Sequence, residues 1–394
     1  MTLPAPRAAT PAPSPLAEAQ RLSPLISRRA EELEAARHLP ADLAQQLADA
    51  GLFRVVLPEA YGGLALHPVR SLEVFEQVAR ADGSTGWCVM IGAVTAMIAA
   101  WMPESAARTV FAAPDTIVGG VAAPHGRAEL VEGGYRVTGR WSWASGSQNC
   151  RWLTGGAVVT HQGAPRMVRE GVPETRIFVF PREDVTLHDT WFASGLCGTG
   201  SGDIEVRDVF VPAERSLSLL AERPRVQEPL YGLPAFGLLG LGLPAVALGI
   251  ARRAIDEFTA LAQQKKSPVT GKTIATRGTV QQSFAEAEAS LRAARALLVE
   301  TVNGAYEAAL ARREPTLHQR AELRMAYTHA VRASAQVVDF MYEAAGGASV
   351  YRSSPLQRCF RDIHVATQHA MVAPATLETV GAVLLGADAF TAML

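Results

Sequence analysis

Residues 116–215 constrain this 394-residue chain more than any other feature, because the periodicity changes there and then changes back. The runs TIVGGVA, GGYRVTGRWSW, WLTGGAVVT, TRIFVFP, VTLHDTW and GDIEVRDVFVP are short, β-branched or aromatic, and divided by Gly, Pro and Asp. That texture predicts a small antiparallel barrel or sandwich. On either side, apolar residues recur at helical spacing. Leu16, Leu22, Leu25, Ile26 and Leu33 mark a first helix; Pro40, Asp42 and a stop at Gly51 bound a second; a third covers 68–81. Beyond residue 230, periodic segments at 243–264, 279–312, 316–345 and 355–386 predict a four-helix bundle, with Gly346 and Gly347 breaking the last two apart. The expected fold is mainly α with a central β-domain. A Pro/Ala-rich tail over 1–14 has nothing to bury and is expected to be disordered; a helical N-terminal domain follows over 15–115, the β-domain over 116–215 and a helical bundle over 225–394.

Two uncharged stretches, 83–103 and 229–251, are long enough to span a bilayer. Both contain several glycines, the second carries Pro234 and Pro244, and neither has the Lys/Arg asymmetry that fixes topology. They read as core helices, with no membrane partner. A net charge of −1 without a dense basic run excludes nucleic acid as well. The four cysteines, Cys88, Cys150, Cys197 and Cys359, are far apart, and the histidines are scattered, so no metal set is expected. Unpaired cysteines behind an N-terminus without an apolar run point to the cytoplasm.

Half of the six tryptophans lie in WSWASGSQNCRW, residues 141–152, around a group of small residues. On a strand Trp141 and Trp143 face opposite sides, and Ser145 shares a side with Trp143. An ordinary core strand followed by a turn is the competing reading. Farther along, His369 follows Asp362 by seven residues, which places both on nearly one helix face, while His364 is turned away by roughly 140°.

The order of parts, together with GGYRVTGRWSWASG, SGLCGTGSGDIEVRDVFVP and YEAAGGASVYRSSPLQRCFRD, resembles the acyl-CoA dehydrogenase superfamily over roughly residues 20–385. ADGSTGW, the Trp-rich run, DTWxxSGLxGTGS and RDxHxxxxH are similar to its two-component flavin-dependent monooxygenase branch. The resemblance implies a helical domain, an antiparallel β-barrel and a four-helix bundle. It also implies reduced FAD or FMN as co-substrate, O2 added at flavin C4a to form a hydroperoxide, and oxygenation of a small aromatic, heteroaromatic or amine substrate. The reduced flavin would come from a separate NAD(P)H-flavin reductase, and the chain would form a homotetramer or homodimer. Trp143 and Ser145 would line and hydrogen-bond the flavin. His369, with His364 in reserve, would hydrogen-bond the oxygen adduct or take a substrate proton.

For the flavin phosphates the resemblance points to the Gly346-Gly347 turn and to Lys266, Arg277 and Gln281 in the segment 263–282, where a solvated basic loop is the competing reading. The substrate wall is expected from Tyr231 and Phe236 and from the 83–103 helix with Trp87, Met90, Thr95 and Met97. An FAD-dependent acyl-CoA dehydrogenase is the alternative. It needs a carboxylate base near the C-terminus, and HVATQHAMVAPATLETVG offers only Glu378, in surroundings that do not match. A scaffold that keeps the fold without the flavin is the non-enzymatic alternative.

Overall fold

The computed structural model describes residues 14–266 and 270–394; the expected tail, apart from Ser14, lies outside the described residues. The first helices are α1 (Pro15–Ala36), α2 (Ala41–Asp49), α3 (Pro68–Ala81), α4 (Gly83–Thr95) and α5 (Glu104–Val110). The ends of these helices follow local chemistry. The Ser14 hydroxyl accepts from the Ala17 amide ahead of α1, with Pro15 at the first helical position. At α4 the Asp82 carboxylate accepts from the Thr85 amide at 2.7 Å. Asp82 is buried, and that desolvation raises its pKa.

The strands are β1 (Val118–Val131), β2 (Gly134–Trp141), β3 (Trp152–His161), β4 (Ala164–Pro165), β5 (Met167–Arg169), β6 (Val172–Pro173), β7 (Thr175–Pro181), β8 (Thr186–His188), β9 (Asp203–Pro212) and β10 (Ser216–Leu217). One sheet runs β10-β7-β3-β1-β2-β9-β8, with β4 on β3, and β5 pairs with β6 apart from it. The expected all-antiparallel pairing is corrected at one place. β1 and β3 run parallel, with a register shift between Val121 and Gly126, because β2 crosses to the far side of β1 before the chain returns. His125 lies exposed in β1, at that shift.

Trp141 is fully buried. Its ring lies over Gly126, Gly139 and Gly155, where a Cβ at any of the three would stand 2.6 Å from an indole carbon. Its Nε1 donates to the Gly156 carbonyl at 2.7 Å. The glycines in these strands make room for a ring.

The chain then becomes helical again, through α6 (Ala235–Gly240), α7 (Gly242–Gln264), α8 (Gly278–Leu310), α9 (Leu317–Ala345), α10 (Pro355–Ala366) and α11 (Thr376–Leu385). The predicted segment 355–386 is thus two helices, broken by a 3-10 turn at Ala370–Val372 and by Pro374. The two apolar stretches are interior helices: Gly83–Ala100 is 89% buried, and α4 packs on α3 and α7.

Candidate functional site

Four elements converge where α4 meets the turn after β2, the loop between β8 and β9, and the segment after α10. Trp87, buried in α4, donates its Nε1 hydrogen to Ser145 Oγ at 3.0 Å. Ser145 Oγ lies 2.7 Å from Ser201 Oγ, which lies 2.6 Å from Thr199 Oγ1; Thr199 donates to the Leu196 carbonyl at 2.8 Å. All three hydroxyl residues are buried. Backbone bonds lock the two loops together, Gly146 amide to Thr199 carbonyl at 2.8 Å and Ala144 amide to Gly202 carbonyl at 3.0 Å. The far end of the loop is held by α10, where Asp362 Oδ1 accepts from the Leu196 amide at 2.6 Å. Gly195 fits there because a Cβ would stand 2.2 Å from the Arg361 carbonyl oxygen. Burial, and then the charge of Asp82, push the Asp362 carboxyl up to about 7.

His369 closes the other side, its ring edge-on to Trp87 with centroids 5.9 Å apart. The helix-phase argument from Asp362 is corrected: α10 ends at Ala366, and His369 caps the 3-10 turn that follows. Its Nδ1 accepts from the Met371 amide at 3.3 Å, so in the neutral ring the hydrogen is on Nε2. Burial and the nearby Arg324 cation push its pKa down to about 4, and the ring is neutral at pH 7. Arg324 is itself buried and donates through Nη1 to the Met371 carbonyl at 2.8 Å. His364 is exposed and turned elsewhere, with Nε2 2.7 Å from Asp339 and its ring against Phe360.

The strand argument for Trp143 is also corrected. β2 ends at Trp141, and Trp143 sits in a left-handed turn with φ of 70°, closed by the Ser145 amide on the Trp143 carbonyl at 3.0 Å. Trp143 and Ser145 are therefore not partners on one strand face: Trp143 is 71% exposed while Ser145 is buried. A tryptophan forced to positive φ costs about 1–3 kcal/mol, and an exposed indole recovers none of that inside the chain. The exposed indole is a flat apolar surface of the kind a flavin ring fits.

The other predicted cofactor residues lie apart from this cluster. Lys266 and Arg277 are exposed, and Gln281 is exposed with its amide on the Ala275 carbonyl at 2.9 Å. The neighbouring Lys265 makes the structural contact instead, donating to the Ala345 carbonyl at 2.8 Å and tying this loop to Gly346 and Gly347. Gly346 needs its residue type for φ of 55°; among the described residues, no atom other than those of its chain neighbours lies within 4 Å of a Cβ at Gly346 or Gly347. Residues 267–269 of the loop lie outside the described residues. Of the expected substrate wall, Trp87 reaches the cluster. Met90 and Met97 are fully core residues, and Tyr231 is anchored to the Val56 carbonyl at 2.6 Å, against Trp101. Thr199 and Ser201 lie in a run that carries the resemblance, but their place in the site, like that of Asp362, rests on contacts that span 53 to 166 residues.

Residues 21–110 match the acyl-CoA dehydrogenase N-terminal domain and residues 241–374 its C-terminal domain. An indole-3-acetate monooxygenase of Pseudomonas putida is 34% identical over 91% of this chain and 90% of its own. The oxygenase subunit HsaA of a flavin-dependent monooxygenase from Rhodococcus jostii (strain RHA1) is 30% identical over 89% of this chain and 92% of its own. The crystal structure of XiaF from Streptomyces sp. in complex with FADH2 and glycerol superposes with a TM-score of 0.88 at 26% identity, covering 95% of each chain.

Proposed function

This chain belongs to the acyl-CoA dehydrogenase family, in its flavin-dependent monooxygenase branch, and from that premise we propose that it oxygenates a small aromatic or heteroaromatic substrate with reduced FAD or FMN supplied by a separate reductase. The observation that carries this reading is the character of the site. The ionisable ring against Trp87, whose indole N–H is on Ser145, is a neutral imidazole, His369. A dehydrogenase needs a carboxylate to take an acyl α-proton, and Glu378 is exposed in the first turn of α11.

Reduced flavin, when bound, supplies the two electrons with which O2 places one atom on the substrate and the other in water. The residues do the rest. Trp143 offers the flat wall, with Gly146 allowing close approach of backbone. Trp87 and the buried hydroxyls exclude water, which preserves a reactive oxygen species for the substrate. His369 presents Nε2–H, a donor suited to a bound oxygen or to a substrate's oxygen atom; its bonded Nδ1 makes it a donor before it is a base.

At the other end, Lys266, Arg277 and the Gly346-Gly347 turn supply charge and open backbone for phosphate. The exposed Val350 and Tyr351 beside that turn support a second copy of the chain covering it. The relatives named above support the reductase and the aromatic substrate: one acts on indole-3-acetate and another is an oxygenase subunit. The four free cysteines suit a reducing, cytoplasmic setting.

The test is anaerobic mixing with reduced FMN or FAD and, in turn, indole-3-acetate and a set of other indoles and phenols, followed by 18O-labelled O2. The expected result is a product carrying one labelled atom. Flavin reoxidation that yields only hydrogen peroxide, with all the indoles and phenols supplied left intact, would overturn the reading.

A further inference from the structure

Arg324 projects from α9 as a buried cation, and among the described residues no aspartate or glutamate pairs with it. A charge held away from water is costly unless hydrogen bonds compensate it, so its partners define its purpose. Nη1 donates to the Met371 carbonyl at 2.8 Å and Nη2 to the Met393 carbonyl. Met371 is also the residue whose amide donates to His369 Nδ1. Met393 precedes Leu394, which is buried in a small apolar cluster with Ala321 and Val380, and Met325 and Val383 pack against it. One planar fork therefore joins two segments far apart in the chain, the turn at Ala370–Val372 and the stretch that follows α11. The turn has a second tie to α9 one helical turn along, where Thr328 Oγ1 lies 2.9 Å from Thr376 Oγ1.

We infer that Arg324 is a positioning residue that pins the turn presenting His369, and that this presentation depends on the segment through Met393 and Leu394 being seated. When the segment lifts, Nη2 loses its acceptor, and the guanidinium gains by turning toward water. Met371 then loses its hold on the carbonyl side. The bond from its amide to Nδ1, which keeps the ring hydrogen on Nε2, loosens with it. The cation has a second effect, since a positive charge beside the imidazole disfavours its protonation. Arg324 acts here through Met371 and through its field, and the stretch after α11 acts through Arg324. The inference rests on the proposed function, in that His369 is the donor to the reacting oxygen.

The test titrates the His369 imidazole by NMR in the full chain without flavin, and measures oxygenation turnover and flavin Kd alongside. Wild type should show a midpoint near 4. Arg324→Met keeps the apolar stem and removes the fork. Its midpoint should rise toward the ordinary 6.5, and its turnover should fall on the order of tenfold with the flavin Kd unchanged. Leu394→Ser leaves Arg324 and His369 in place and weakens only the seat. It should move midpoint and turnover in the same directions, by less. A seat that serves stability alone would lower the urea midpoint of Leu394→Ser and leave both readings at wild-type values, which overturns the inference. If Arg324→Met does not fold, Arg324→Lys should lose turnover too, because a compact ammonium cannot span both carbonyls. Full turnover in Arg324→Lys likewise overturns the inference. Wild type that oxygenates none of the substrates supplied overturns the proposed function alone, since the NMR comparison needs neither flavin nor substrate and still decides whether Arg324 and Leu394 pin the ring.

Discussion

The two ends of the candidate cofactor site are built in opposite ways. Around Ser145 every hydroxyl is buried and engaged, by Trp87, Ser201, Thr199 and the Leu196 carbonyl. Around Gly346 the chain offers exposed cations and open backbone, with Lys265 the contact to the turn. The first arrangement fixes geometry to a few tenths of an ångström, as chemistry at one ring atom requires. The second supplies charge over a wide area, and phosphate groups tolerate that because their attraction falls off slowly with distance. Affinity and reactivity should therefore be separable by mutation.

The sharpest contrast lies between two tryptophans two residues apart. Trp141→Ala empties a fully buried space among three glycines and should cost about 3–5 kcal/mol in urea unfolding. Trp143→Ala should change stability by only about 0.5 kcal/mol or less, while weakening flavin binding. Equal losses of stability in the two variants would remove the distinction between packed and ligand-facing rings. Next in size, His369→Ala should lower the oxygenation rate about a hundredfold, with flavin affinity retained. Unchanged turnover would show that the donor role belongs elsewhere.

A pH titration probes the same end. The His369 imidazole is held down at about 4 against an ordinary 6.5, so its neutral state contributes stability above 6.5 that is lost as the pH falls through 4. Turnover should show no step from this ring between pH 5 and 8, and its NMR titration should lie near 4; a midpoint near 6.5 would mean that it is solvated. The smallest effects belong to the open end. Lys266→Ala and Arg277→Ala should each raise the flavin Kd about two- to fivefold, and less at high salt, with the rate from bound flavin unchanged.

The sequence made some of this legible and hid the rest for identifiable reasons. Periodicity located α7, α8 and α9 to within two residues, since long amphipathic runs announce themselves. It merged α10 and α11 because Ala370, Met371 and Val372 continue the apolar pattern through a turn set by His369 and Pro374. Ser145 and His369 were visible through a resemblance, yet the local geometry offered for them was mistaken. One argument assumed that a strand continued to Trp143, and the other that a helix continued to His369. Strand pairing direction, the Trp87 bond and the loop that carries Ser201 depend on contacts between residues tens to more than a hundred positions apart. No window of sequence contains them.

The bond from the Leu196 amide to Asp362 has a dynamic consequence. That hydrogen belongs to the loop which carries Thr199 and Ser201, and it is enclosed by a carboxylate from the helical side of the molecule. It can be traded for solvent deuterium only when helices and sheet separate at the site. A single backbone amide thus times how often α10 and the loop between β8 and β9 come apart.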